Sequence, residues 1–401
     1  MSRTTPILVS PDPTLLAYAS SVTPADLSRA LFEAVRSAVA AGELRVAVPE
    51  RIVVERARPG GAGSYASNVA LRLAGPAGQP PEAVARVLRQ RVLGLRVPGV
   101  ADVEVTGPGF LSFTLDGDGR AALVREILAR GPAAYGHLAA PRTVPSAPAP
   151  RMLHFPDDPR AAVVADAVRR VLLSQGVPVR LGCAAEAEPG WVGSLGVRVD
   201  AYGVPEGAEA RTVVRPVPAP RGFDPYALGR DAARWALLRP PAHERPRLGT
   251  EEGPGLVPLL AQREGNPLFR VRYAHARGRA LVRNARDLGF AAEAGELYEN
   301  RQPEPAEDPG AVAADRLLGA LAAYPALLSA LTTDYAPDRL CRHLVVTADA
   351  FFRFHDAIRV LPLGPEKPSA AHRARLALAE AAGTVLAGGL SLLGIDAPEH
   401  L

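Results

Sequence analysis

The chain reads as a multidomain α/β plus all-α protein, with a small N-terminal α/β domain, a short doubly wound centre and a C-terminal helical bundle. Three observations predict this. Helical and strand spacings alternate up to residue 115, a strand–helix–strand unit follows a proline-rich stretch, and apolar residues recur three and four apart almost throughout from Tyr226 onward. At 401 residues the chain can build two or three separate cores. The expected boundaries are a lead-in over 1–22, a first domain over 23–116, a linker over 117–150, a central unit over 151–243 and the bundle over 244–401.

The first helix is expected over 24–41, where Leu27, Leu31, Ala34, Val35 and Ala38 follow a Thr23 or Pro24 start. A short strand over 52–56 leads into the flexible turn 59–63. Helices are expected from Ser67 and over 81–93, the second with Val84, Val87, Leu88 and Val92 on one face. Strands over 100–106 and 110–115 pair around Gly107, Pro108 and Gly109. Pro141, Pro145, Pro148 and Pro150 mark the linker. A strand over 151–155, a helix over 161–175 closed by Gly176 and a strand over 177–181 then open a doubly wound unit. The pattern weakens over 183–221. Helices follow at 228–239, 255–262, 266–288, 309–331, 337–358 and 370–393, with loops over 290–308 and 360–369. In the last helix Leu376, Ala379, Gly383, Leu386, Leu390 and Leu393 form a buried stripe.

Composition narrows the class. The net charge is +4 and Lys367 is the only lysine, so nearly all positive charge is arginine. Any mechanism that needs an ammonium group has a single candidate. Cys183 and Cys341 form no CxxC pair, which predicts a reducing compartment with neither a disulfide framework nor a cysteine zinc site. The run 381–395 is 15 residues long and contains four glycines, short of the about 20 that a membrane span requires. With no signal-peptide pattern at the start, the expectation is a cytoplasmic protein without a membrane contact. GxxxxGK(S/T), HExxH and GxSxG are all absent, so no cofactor and no metal is predicted. Cys341 and His343 are expected as a buried cysteine beside a surface histidine.

Four segments carry a family likeness. Gly63-Ser-Tyr-Ala-Ser-Asn-Val-Ala-Leu-Arg-Leu73 and Val103-Glu-Val-Thr-Gly-Pro-Gly-Phe-Leu-Ser-Phe113 resemble two blocks of the N-terminal domain of arginyl-tRNA synthetases (class I), with Ser64 where an aspartate is usual. The segment Leu228–Arg239 resembles the helix downstream of that family's second catalytic motif. Asn266-Pro-Leu-Phe-Arg-Val-Arg-Tyr-Ala-His-Ala-Arg277, the stretch Phe351 to His355 and the stretch Gly389 to Glu399 resemble its DALR anticodon-binding domain.

The centre departs from the family. It resembles a truncated Rossmann-like domain in which the HIGH position reads Phe155-Pro-Asp-Asp-Pro159. Asp157 and Asp158 would set two negative charges against a polyphosphate that the family binds at a helix N-terminus. The KMSKS position reads Arg215 to Gly222 without a lysine, leaving Arg215 and Arg221 to supply charge. His154 at the strand end is expected to be structural. The resemblance therefore implies a degenerate paralogue that binds tRNA, most directly an arginine tRNA, and does not aminoacylate it. Two alternatives stay open: a divergent arginine–tRNA ligase or tRNA-dependent transferase, and a scaffold that binds a protein partner through the central region.

The candidate nucleic-acid contacts follow from helical spacing and the resemblance together. On 266–288, Arg272, Arg279, Arg283 and Arg286 project within about a quarter-turn, and Arg270 and Arg277 lie together on the opposite side. Arginine pairs bidentately with phosphate, so the first group is expected to be a phosphate-contacting stripe. The resemblance makes Tyr273 a base-stacking candidate and adds Tyr65 and Asn68 from the N-terminal domain. Arg270 stands where the family often has an aromatic, and 360–370 contains none. Phe351, Phe352 and Phe354 are expected in the core.

Overall fold

The computed structural model describes residues 24–401 apart from 50, 57–64, 98, 116, 139–149, 204–210, 220, 222–223, 247–258 and 299–307. The expected lead-in, the 59–63 turn, nearly all of the proline-rich stretch and the first half of the 255–262 helix lie outside the described residues, and 259–262 form a turn and coil in place of the expected helix.

The N-terminal domain comprises α1 (Pro24–Ala40), β1 (Glu55–Arg56), β2 (Tyr65–Ser67), α2 (Val69–Ala77), α3 (Pro81–Gly94), β3 (Val100–Thr106) and β4 (Phe110–Leu115). Its antiparallel sheet runs β1-β2-β4-β3. The helices α2 and α3 pack on this sheet, and α1 packs on α3. Leu27, Leu31, Val35, Val84, Leu88 and Val92 are buried between them, as their spacing requires. At α3, Pro81 starts the helix, and Glu82 and Arg91 stand at the ends that its dipole favours. Arg91 also ties α3 to the end of α1 through Glu43 at 2.7 Å. Gly109 has φ +128°, and a Cβ there would lie 2.9 Å from Pro81, so the turn between β3 and β4 needs glycine.

Three expectations change here, the first being that the strand expected over 52–56 shortens to Glu55–Arg56. The helix expected from Ser67 starts at Val69, because residues 65–67 pair with β4 as a strand. The linker expected over 117–150 opens with a helix, α4 (Gly117–Arg130), whose buried Leu123 and Ile127 make it part of the core.

The centre comprises β5 (Arg151–Phe155), α5 (Pro159–Ser174), β6 (Val179–Cys183), α6 (Trp191–Leu195), β7 (Ala201–Tyr202), β8 (Arg211–Val213) and α7 (Pro225–Leu238). Its sheet runs β7-β6-β5-β8 with every pairing parallel, so the chain turns to opposite sides of β5 in the manner of a doubly wound fold. Register sets the second strand two residues later than the pattern suggested, with Leu153 opposite Leu181 and Phe155 opposite Cys183. The weak stretch 183–221 supplies α6, β7 and β8, elements of five residues or fewer that carry too little periodicity to read.

The bundle is formed by α8 (Pro267–Asp287), α9 (Pro309–Asp334), α10 (Pro337–Ala357) and α11 (Ala370–Leu392). Proline at the first turn starts α8, α9 and α10, and Ser369 with His372 forms a capping box on α11. The helix α9 is long and apolar enough to cross a membrane, yet 61% of that stretch is buried inside the protein, where α10, α5, α11 and α1 pack on it. His343 departs from its expected surface position. Its ring stacks on Tyr324 at 5.9 Å, and burial lowers its pKa to about 4.

The three parts are locked by polar contacts. Arg120 of α4 meets Asp315 of α9 at 3.0 Å, and the Tyr135 hydroxyl donates to Leu321 O at 3.0 Å. Asp166 on α5 and Arg234 on α7, both fully buried, pair at 2.7 Å, and Arg169 and Arg170 reach the same carboxylate at 2.8 Å. Burial works to raise the Asp166 pKa, but the guanidiniums of Arg234, Arg170 and Arg169 outweigh it and hold the carboxyl below its usual range. Arg234 also donates to Leu393 O at 2.7 Å and to Leu195 O at 2.9 Å. Any Cβ at Gly394 would overlap that guanidinium, which accounts for glycine after α11.

Arg234→Met takes one of three guanidiniums from the buried Asp166 and leaves the carbonyls of Leu195 and Leu393 without that donor, so it is expected to cost about 3–5 kcal/mol in urea unfolding. A loss below about 1 kcal/mol would contradict the central role of this contact. A second expectation concerns acid. The unfolded chain binds a proton at His343 near pH 6.5, whereas the folded chain refuses it until about pH 4, so stability falls as pH drops through that window. Urea midpoints measured against pH should show a shallower fall over that range for His343→Gln.

Candidate functional site

The helix α8 is fixed before any exposed residue on it matters. Asn266 caps it by accepting from Leu268 N at 3.1 Å, while its amide donates to Leu259 O and Ala261 O at 2.8 and 2.9 Å. Leu268, Val271, Ala274, Gly278, Leu281 and Ala285 form the buried face. The His275 ring meets Gly383 O of α11 at 3.1 Å. Cap, packed face and cross-helix bond together set the rotation of α8 about its axis.

That rotation exposes a row of aromatic rings. Phe269 stacks on Tyr273 at 5.5 Å with 8° between planes, and Tyr273 stacks on Phe352 of α10 at 5.6 Å with 27°. Tyr273 is 39% exposed, and Phe352 and Phe269 are half-buried. Phe351 and Phe354 are fully buried as expected, but Phe352 belongs to the surface row. The spacing of Phe269 and Tyr273, four apart on one helix, was the available signal. Phe352 comes from another helix and had none. Arg270 and Arg277 flank the row. Arg270 pairs with Asp349 at 2.9 Å, and Arg277 Nε donates to His355 Nε2 at 3.4 Å.

The expected arginine stripe is held by the protein itself. Arg272 lies 3.8 Å from Asp231, and Arg279 pairs with Glu399 at 2.9 Å. Arg283 donates to Glu399 O at 3.3 Å and lies 3.3 Å from His400 Nδ1. Arg286 is exposed. The four side chains therefore follow one edge of α8, and three of them meet acidic or carbonyl oxygen from α7 and from residues 396–401.

The two N-terminal candidates differ in kind. Tyr65 is 3% exposed and points into the domain core opposite Phe113, so its ring has no face to offer a ligand. Asn68 is exposed at the start of α2, and its side chain makes no capping bond there.

In a doubly wound sheet, ligands bind where the chain turns to opposite sides, here beyond the ends of β5 and β8. Among the described residues, polar groups of the chain itself bond to one another at the start of α5. Asp158 accepts from Ala161 N at 2.9 Å, placing a carboxylate on the α5 N-terminus where a phosphate would otherwise be favoured. Its second oxygen accepts from Ala219 N at 3.2 Å. Arg160, fully buried, donates to the carbonyls of Leu237 (3.1 Å), Val217 and Glu244 (2.6 Å each), Pro240 (2.9 Å) and Pro241 (2.8 Å). Burial pulls the Arg160 pKa down, with Asp158, Asp338 and Glu244 opposing. The segment around 217–219 is thus fastened to both ends of one helical turn. His154 is buried and lies 3.3 Å from Gly203 O, a structural position as expected. Arg215 and Arg221 face solvent.

An antiparallel α/β module, a parallel sheet that turns about its first strand and an arginine-bearing bundle with a surface aromatic row are the three parts compared with known proteins. Residues 26–115 match the arginyl-tRNA synthetase N-terminal domain, and residues 271–401 match the DALR anticodon-binding domain. The chain is similar to the arginine–tRNA ligase of Frankia alni, 26% identical over 575 residues, covering 95% of this chain and 100% of the relative. That of Renibacterium salmoninarum is 26% identical over 572 residues with the same coverage. Both alignments are far longer than 401 residues, so much of each relative faces gaps in this chain. Among solved structures, the arginyl-tRNA synthetase of Thermus thermophilus shares the fold with a TM-score of 0.55 at 16% identity, covering 95% of this chain and all of that one. That of Plasmodium falciparum does so with a TM-score of 0.64 at 9% identity, covering 94% and 99%. The chain belongs to the arginyl-tRNA synthetase family.

Burial separates the two tyrosines experimentally. Tyr65→Ala is expected to lower unfolding stability by about 3–5 kcal/mol, as large core truncations do, while Tyr273→Ala changes it by under about 1 kcal/mol. Equal losses in thermal or urea unfolding would contradict the assigned environments.

Proposed function

We propose that this chain binds tRNA of the arginine type and does not activate arginine. The observation that carries the second half is the Asp158 carboxylate bonded at the α5 N-terminus. A nucleotide polyphosphate seated at the α5 N-terminus would have to displace the Asp158 carboxylate from two backbone donors. It would meet negative charge where synthetases of this fold offer donors, and no lysine stands near to offset it. The proposed boundaries are an N-terminal domain over 23–116, a central Rossmann-like remnant over 151–243 and the anticodon-binding bundle over 244–401.

The tRNA half rests on α8 and its neighbours. Unstacked bases can lie on the Phe269–Tyr273–Phe352 row, with Arg270 and Arg277 beside it for phosphate or base edges. Arg272, Arg279, Arg283 and Arg286 supply a second line of positive charge, and Asn68 is the remaining N-terminal candidate. Tyr65 supports that domain from inside. No cofactor enters this reading, and the proposed location is the cytoplasm.

Fluorescence anisotropy with an arginine tRNA and a non-cognate tRNA, repeated at several KCl concentrations, tests the proposal. Discriminating binding that weakens steeply with salt is expected, and Tyr273→Ala should weaken it by about 1–3 kcal/mol, the worth of one stacked base. Binding that ignores both salt and Tyr273 would overturn the tRNA reading and favour a protein-binding scaffold.

A further inference from the structure

We propose that residues 396–401 act as an internal substitute for nucleic-acid phosphates, covering Arg279 and Arg283 until a polyanion displaces them. This rests on the tRNA-binding reading above. The case begins where the chain changes from fixed to exposed. Up to Ile395 it is held in the core. Leu393 O accepts from Arg234, Gly394 lies against that guanidinium, and Ile395 is buried. From Asp396 the chain runs along the protein surface, with Ala397 packed against the core and Asp396 and Glu399 in ion pairs.

Those charges fall on the α8 stripe. The Glu399 carboxylate meets Arg279 at 2.9 Å, its carbonyl accepts from Arg283 at 3.3 Å, and His400 Nδ1 lies 3.3 Å from the same guanidinium. Asp396 meets Arg230 of α7 at 2.6 Å, and its N–H donates to Asp231 at 3.3 Å. Asp231 in turn approaches Arg272 at 3.8 Å. An acidic segment thus runs along arginines that would otherwise meet phosphate oxygens, and it offers them the same chemistry, an oxyanion and a carbonyl.

The contacts are built to exchange. The Glu399 side chain is 55% exposed and that of Asp396 is 72% exposed, so both ion pairs belong to the solvent-screened class that contributes little to stability. A tRNA backbone that replaces several such contacts at once, with release of its counterions, outcompetes them. The segment then sets a threshold. Isolated anions or weakly basic-seeking polymers leave it in place, while a ligand that also engages the aromatic row removes it.

The test compares the full chain, Glu399→Gln and a chain ending at Ile395, each titrated with a fluorescent arginine tRNA across a KCl series. Both variants should bind about three- to tenfold more tightly at low salt, and the gain should shrink as KCl rises, because salt also screens the Glu399–Arg279 pair of the full chain. Melting temperature should be unchanged for Glu399→Gln, which guards against a folding defect in the shortened chain. If the full chain binds and both variants bind equally or more weakly, the segment is no substitute for phosphate and the inference falls alone. If none of the three binds, the tRNA reading itself has failed and takes this one with it.

Discussion

The buried carboxylate of Asp166 is the point at which the centre and the helical bundle of this chain are tied together. A charge with no access to water must be satisfied at short range, and here three guanidiniums do so from α5 and α7. Because Arg234 also reaches carbonyls at the end of α6 and just after α11, satisfying one charge fixes the centre against the bundle. That single constraint decides where α11 ends, why Gly394 follows it and from which point residues 396–401 depart. Replacing such a pair with apolar groups is often tolerated thermodynamically. Its value here is geometric, since apolar contacts would hold the same helices together without specifying one arrangement.

A second buried arginine explains the centre's chemistry. Arg160 meets five carbonyls within hydrogen-bonding distance and no carboxylate, an arrangement suited to holding a chain segment in place. With Asp158 bonded to Ala219, it draws the region after β8 onto the start of α5. Strand order still defines a ligand crevice of the doubly wound type, but the donors that would line it are used internally. Fold and site are therefore separable in this chain: the sheet retains the family's topology while the polar groups at its edge serve structure.

Local signals in the sequence were reliable wherever one element determined its own state. The caps of α8 and α11, the prolines that start α9 and α10, the β3–β4 pair and the buried stripe of α11 all follow from neighbours within a turn or two. The helix α4 was hidden by its glycine-rich opening and by the prolines beyond it, which together resemble a linker. At the candidate site the arginine spacing on α8 was legible, but its partners were not. Glu399 lies more than a hundred residues from Arg279, and Phe352 reaches Tyr273 only because α10 crosses α8 at that height. Tyr65 shows the converse limit. Its place in a recognisable block suggested a contact, and only the pairing of β2 with β4 turned the ring inward.

Whether the centre can activate an amino acid separates a tRNA binder from a working ligase. The decisive measurement is arginine-dependent ATP–pyrophosphate exchange by the full chain, run with saturating arginine tRNA so that any ligand-driven change at the start of α5 is included. The bonding of Asp158 there predicts no exchange above a blank without protein. Turnover that scales with protein, and that Asp158→Ala changes, would contradict it and establish a working ligase on a shortened frame.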